Sequence, residues 1–196
     1  MAEKFRLRSN LLLAVGGAAL FAGAAAFLAI RAGSFDGDGA AAGTRLGLID
    51  DNRVAIGEPA PGFALASVRT ESEVLHLSDF RGKAVVVNFY ASWCGPCRQE
   101  LPDFEAVSRD LAAEVAFIAV NVQESRADAL GILDETGATF PAVLDTDGEV
   151  ARRYGLRGMP STYLLDADGV VRKFGPGALD AETLRTELRE IIDSAE

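Results

Sequence analysis

The stretch Val85-Val86-Val87-Asn88-Phe89-Tyr90-Ala91-Ser92-Trp93-Cys94-Gly95-Pro96-Cys97-Arg98-Gln99-Glu100-Leu101-Pro102 starts as an apolar β-branched run and halts at Cys-Gly-Pro-Cys, where a helical pattern takes over. An apolar run of this kind, without alternation, is the mark of a strand buried on both faces, as in the central parallel sheet of an α/β domain. Arg98, Leu101, Phe104, Glu105, Val107, Ser108 and Leu111 then recur at helical spacing, which puts Cys97 in the first turn of a helix. The order is strand, turn, helix, with both cysteines at the turn.

That position has chemical consequences. Unpaired amide N–H groups and the positive dipole end favour a thiolate, drawing a cysteine pKa from about 8.5 into roughly the 3.5–7.5 range. Cys94 is the cysteine expected to be activated, with Cys97, covered by the helix, as the partner that resolves a mixed disulfide. Pro96, lacking an N–H and fixed in φ, suits a first helical turn. A structural disulfide or half of a zinc site would use the same two residues. A structural zinc takes about four protein ligands, and the chain offers two cysteines and one distant histidine, His76.

These residues carry a family resemblance. Trp93-Cys94-Gly95-Pro96-Cys97 resembles the thioredoxin active site, and the chain resembles the TlpA/ResA-like thiol-disulfide oxidoreductases, over roughly residues 58–192. The implied fold is α/β and thioredoxin-like, with an N-terminal β-hairpin extension and a central α/β insertion, preceded by one transmembrane helix. The hairpin falls near Phe63 to Ser67 and Glu73 to Leu77. Residues 115–122 give a second buried strand, completing a β-α-β unit with a right-handed crossover. The insertion comprises a helix opened by Ser125-x-x-Asp128 in capping-box fashion, a strand over 140–144 and a short helix over 149–154. Asp145-x-Asp147-Gly148 and Asp166-x-Asp168-Gly169 lack full calcium-loop spacing and are expected to be turns.

Gly158-Met159-Pro160-Ser161-Thr162 is the second landmark. In the resembling family this proline is cis and faces the cysteines, and the residue before it offers backbone groups to an extended substrate. The resemblance therefore implies a substrate surface of Met159 and Pro160 with Trp93, Gly95 and Pro96. A hairpin across residues 166–169 and a C-terminal helix from Asp180, with Leu184, Leu188, Ile191 and Ile192 on one face, complete the domain.

The chain departs from classical thioredoxins at Asn88, where they carry a buried aspartate implicated in moving the resolving thiol's proton. Glu100, three residues after Cys97 on the same helix, is the expected substitute, since ResA-like proteins have a glutamate there. An exposed helix carboxylate is the plainer reading of the same position.

Residues 11–30 are twenty consecutive uncharged, mostly apolar residues, long enough to span a bilayer core. Lys4, Arg6 and Arg8 precede them, which places residues 1–10 in the cytoplasm and the remainder outside. A cleaved signal peptide is the rival reading; Phe27, Leu28 and Ile30, beyond the small-residue sites, favour an uncleaved anchor. Residues 31–57, rich in Gly, Ala and Asp, form the expected linker, and 58–196 the catalytic domain. Of 19 Lys and Arg, four lie in residues 1–31, and of 29 Asp and Glu, one does; the rest carries 15 basic against 28 acidic residues, a formal charge of −13. So acidic a body argues against nucleic acid and anionic membrane surfaces as partners.

The expected activity is extracytoplasmic protein-disulfide exchange with no metal and no cofactor beyond the Cys94–Cys97 disulfide. Gly95-Pro96 is the thioredoxin pair, for which the potential is about −270 mV against about −120 mV for the oxidant DsbA, so the expected direction is reduction. The resemblance implies a transmembrane thiol-electron transporter as donor and exported proteins such as apocytochrome c as clients, in cytochrome c maturation. The alternatives are a disulfide-donating oxidase, a thiol peroxidase, whose pattern Ala91 departs from, a redox-inert holdase, and copper delivery, for which a histidine ligand is lacking.

Overall fold

The computed structural model describes residues 54–194. The proposed anchor at 11–30 and most of the linker lie outside the described residues, and among the described ones no helix is long and apolar enough to cross a membrane. The elements are β1 (Ala64–Ala66), β2 (Val74–His76), a 3-10 turn (Leu77–Phe80), β3 (Ala84–Tyr90), α1 (Gly95–Asp110), β4 (Val115–Val122), α2 (Arg126–Thr136), β5 (Ala142–Asp145), α3 (Glu149–Arg153), β6 (Ser161–Leu165), β7 (Val171–Pro176) and α4 (Ala181–Asp193).

The main sheet runs β5-β4-β3-β6-β7, with β3, β4 and β5 parallel and β6 and β7 antiparallel to their neighbours. Every residue of β3 is buried, as a two-sided central strand requires. Its alternate residues serve two cores. Val86 and Tyr90 face Cys97, Leu101 and Phe104 of α1 and Leu184 and Leu188 of α4, while Val85, Val87 and Phe89 face Tyr154, Tyr163 and the N-terminal segment around Phe63. The expected hairpin β1–β2 is present. The insertion contributes α2, the parallel edge strand β5 and α3.

Several boundaries differ from the sequence expectation. The strand expected from Phe140 begins at Ala142: Pro141 has no N–H to give a ladder, and Phe140 packs instead against Phe117, centroids 5.7 Å apart. Residues 54–57, expected in the linker, are already tied to the domain. Gly57 N–H donates to the Val171 carbonyl at 2.8 Å, and Val54 packs against the second core. Ser125 caps α2 through the Asp128 N–H, but its hydroxyl also donates to the Asp128 carboxylate at 2.6 Å, in place of the return bond of a capping box.

Both Asp-x-Asp-Gly stretches are turns. Asp145, fully buried, accepts the Val150 and Ala151 N–H groups that open α3, and Asp166 accepts from the Asp168 and Val170 N–H groups and from Arg172. His76 is exposed and precedes the 3-10 turn, where its backbone N–H donates to Asp79. The far half of α1 is fixed by Glu105, whose carboxylate accepts the Thr139 N–H at 2.6 Å and hydroxyl at 2.7 Å.

Candidate active site

The end of β3 delivers the chain to the N-terminus of α1, and the two cysteines bracket that junction. Cys94 is the N-cap residue, with extended backbone angles, and is disulfide-bonded to Cys97. The Cys97 N–H, one of the orphan donors of the first turn, points at the Cys94 sulfur at 3.2 Å. Once the disulfide opens, that N–H and the helix dipole stabilise negative charge on Cys94. Cys97 is fully buried and Cys94 is 3% exposed, whereas Gly95 and Pro96 are exposed and Trp93 is 70% exposed. The disulfide thus lies just below a surface rimmed by an aromatic ring.

Beside it stands the second landmark. The Met159–Pro160 peptide bond is cis, and it opens β6, whose Ser161 pairs with Phe89 of β3. That register sets Met159 and Pro160 level with the end of β3. The Gly177 N–H holds the Pro160 carbonyl at 2.9 Å. Pro160 is buried and Met159 half-buried; Trp93 and Met159 line one groove of about 400 Å³. The sequence-predicted surface of Trp93 and Met159 is therefore assembled from residues 66 positions apart in the chain.

Beneath the cysteines, Glu100 is buried, 2% exposed, and not the surface carboxylate of the plainer reading. Asn88 Nδ2 donates to its Oε1 at 2.8 Å, and the Leu179 N–H, from the segment entering α4, donates to its Oε2 at 3.1 Å. Burial pushes its pKa up to about 7, against the opposing pull of those two hydrogen bonds. Asn88 Nδ2 also reaches Thr162 Oγ1 at 3.1 Å, joining β3, α1 and β6 in one polar cluster. Glu100 is thus a buried carboxyl with a raised pKa, three residues after Cys97 on α1.

A further group is absent from the sequence expectation. Glu124, just beyond β4, accepts the Ser92 N–H at 2.8 Å, the Ser92 hydroxyl at 2.5 Å and Asn121 Nδ2 at 2.7 Å. Arg98 Nη2 holds the Ser92 carbonyl at 3.1 Å, and Arg98 pairs with Glu135 at 2.9 Å. The residue two before Cys94 is thus fixed on both sides of its peptide. The available signal was Asn121, a polar residue inside an otherwise apolar strand.

Among the described residues, no group of three or more His, Cys, Asp or Glu side chains is gathered as a metal site.

Comparison with known proteins agrees with this geometry. The Redoxin family profile matches residues 55–191. The thiol-disulfide oxidoreductase ResA of Geobacillus thermodenitrificans is 34% identical over 139 residues, spanning 70% of this chain and 79% of that protein. The thiol:disulfide interchange protein DsbE of Allochromatium vinosum is 30% identical over 138 residues, spanning 70% of this chain and 75% of its own length. Among solved structures, that of a putative thiol:disulfide interchange protein DsbE from Chlorobium tepidum superposes with a TM-score of 0.64 at 34% identity, covering 72% of this chain and 98% of that one.

Proposed function

Because the chain belongs to the Redoxin family, as a ResA-like thiol-disulfide oxidoreductase of the thioredoxin superfamily, we propose that it is a protein-disulfide reductase acting outside the cytoplasmic membrane on exported proteins, apocytochrome c among them. The observation that carries this reading is the redox pair at the N-terminus of α1, opening beside the groove shared by Trp93 and Met159. Reduced Cys94 attacks a client disulfide. The client bond breaks, one client sulfur leaves as a thiolate, and Cys94 is held in a mixed disulfide. Cys97, its proton passed toward Glu100, attacks Cys94 Sγ and frees the second client thiol. Two electrons have passed to the client, and the Cys94–Cys97 disulfide is restored.

No resident cofactor or metal is needed for these steps. The oxidised protein must then be recharged, and outside the cytoplasm NADPH is not at hand. A transmembrane thiol-electron transporter is the proposed donor. Residues 11–30 are proposed as a single-pass anchor with residues 1–10 in the cytoplasm. Client binding uses Met159 and Pro160 as a strand-addition surface, with Trp93, Gly95 and Pro96 as its other wall.

The test is reduction of an oxidised Cys-x-x-Cys-His peptide by the pre-reduced full chain, followed by mass. Stoichiometric reduction supports the proposal. Failure to reduce it, with oxidation of the dithiol peptide by the disulfide form, assigns the opposite direction.

A further inference from the structure

Among the described residues, Gln123 is the one non-glycine residue with a positive φ, 57°. It directly follows β4, its N–H donates to the Asp145 carbonyl at 2.9 Å, and the next residue is Glu124, whose carboxylate grips Ser92. The turn serves that grip, but it does not call for a glutamine. Glycine takes a left-handed angle without steric penalty, whereas any other L-residue brings its Cβ against the following carbonyl. A side chain is kept where the backbone favours none.

That side chain is exposed and belongs to neither core. It lies across Gly148, the residue that precedes α3 and has φ 69°. A methyl group on Gly148 would stand 3.0 Å from Gln123 Cδ and 3.1 Å from its Nε2, so the carboxamide rests on ground that only a glycine leaves open. Gln123 and Gly148 both line the groove of about 400 Å³ that Trp93 and Met159 share. Backbone strain retained at the rim of an active site, by a side chain that adds nothing to the core, is the signature of a binding role.

We propose that Gln123 is a client-binding residue: its carboxamide hydrogen-bonds the backbone of the extended segment that carries the disulfide under attack, and so favours disulfides within a polypeptide over small disulfides. This rests on the disulfide-exchange reading of the same site and adds a second contact for the client. In an extended segment the N–H and C=O of one residue point to the same edge, and those of the next residue to the other. Strand addition at Met159 occupies one edge, leaving the alternate residue's pair turned across the groove. A carboxamide holds a donor and an acceptor side by side, which matches that pair whatever the client side chains are.

The test uses pre-reduced full chain and two kinds of substrate: synthetic peptides closed by one disulfide, with three residues outside each cysteine, and hydroxyethyl disulfide, which has no peptide bond. In each reaction the substrate S–S bond is cleaved, two electrons leave the protein, and the Cys94–Cys97 disulfide forms. The quantity read is the ratio of the peptide rate to the small-disulfide rate on one preparation, so the folded fraction of a variant cancels. Gln123→Ala should lower this ratio about three- to tenfold, as for the net loss of one hydrogen bond. Gln123→Gly should lower it as much, while its thermal midpoint lies above that of Gln123→Ala because the left-handed angle no longer meets a Cβ. The fall should persist at about 1 M salt, since the contact is uncharged, and should be the same for peptides flanked by alanine, serine or glutamate. A ratio that neither substitution lowers would overturn the proposal, and a fall confined to one kind of flanking residue would overturn its assignment to the client backbone. A midpoint for Gln123→Gly below that of Gln123→Ala would overturn the strained geometry on which it stands. No reduction of either substrate by the parent would instead overturn the exchange reading beneath it.

Discussion

Asn88 Nδ2 and Glu100 Oε1 lie 2.8 Å apart in the interior, joining the strand that leads to the cysteines with the helix that carries them. Asn88 cannot ionise, so the cluster holds a single titrating proton, on Glu100. The buried acid of this cluster stands on α1, three residues after Cys97, and not on β3.

The Glu100 carboxyl titrates near 7 in the folded chain against 4.5 in its absence. The native state therefore binds the extra proton between those values. The stabilisation is fully present below about pH 4.5 and is lost as pH rises through about 7, a total of about 3 kcal/mol. In urea unfolding of the oxidised protein at pH 5 and pH 8, Glu100→Gln should lack this loss, so its stability relative to the parent improves with pH. Its exchange rate should also lose the inflection near pH 7; an unchanged profile would remove Glu100 from the proton route.

Asn88→Asp should place two carboxyls at hydrogen-bond distance in a site where Asn88 is 1% exposed. Such a pair shares one proton and resists double ionisation. The expected cost is small at pH 5 and about 2–4 kcal/mol at pH 8. Equal unfolding midpoints for variant and parent at pH 8 would contradict the geometry.

Glu124→Ala removes the acceptor of three hydrogen bonds around Ser92. The expected destabilisation is about 1–3 kcal/mol, since partly buried donors lose a charged partner. Amide hydrogen exchange at Ser92 and Trp93 should quicken selectively, with α4 unaffected, which separates a loosened active-site loop from general unfolding.

Cys97→Ser should leave Cys94 competent to attack but unable to be released, so a disulfide peptide accumulates as a covalent adduct visible by mass. Cys94→Ser should form no adduct and lose turnover by about a thousandfold or more, as expected when the nucleophile is removed. Adduct formation by Cys94→Ser would reverse the roles assigned to the two cysteines.

The strand, the cysteine turn and the helix were legible because three local signals coincide there: an unbroken apolar run, Gly-Pro between the cysteines, and a helical period from Arg98. The cis bond at Met159–Pro160 was foreseen through family resemblance; residues 158–162 alone fit an ordinary loop. The burial of Glu100 was not legible. Its covering Leu179 N–H arrives from 79 residues away, and a helix pattern does not tell which later segment closes over a face. Glu124 escaped for the same reason: its partners Ser92 and Asn121 belong to adjacent parallel strands and their ends, and only the register of β3 on β4 brings them together.

The most direct test of the central claim is the reduction potential of the Cys94/Cys97 couple, measured on the full chain equilibrated against dithiothreitol or glutathione buffers. A reductase is expected to poise near or below thioredoxin, at about −270 mV. A value near that of DsbA, about −120 mV, would contradict the assigned direction and make the protein a disulfide donor.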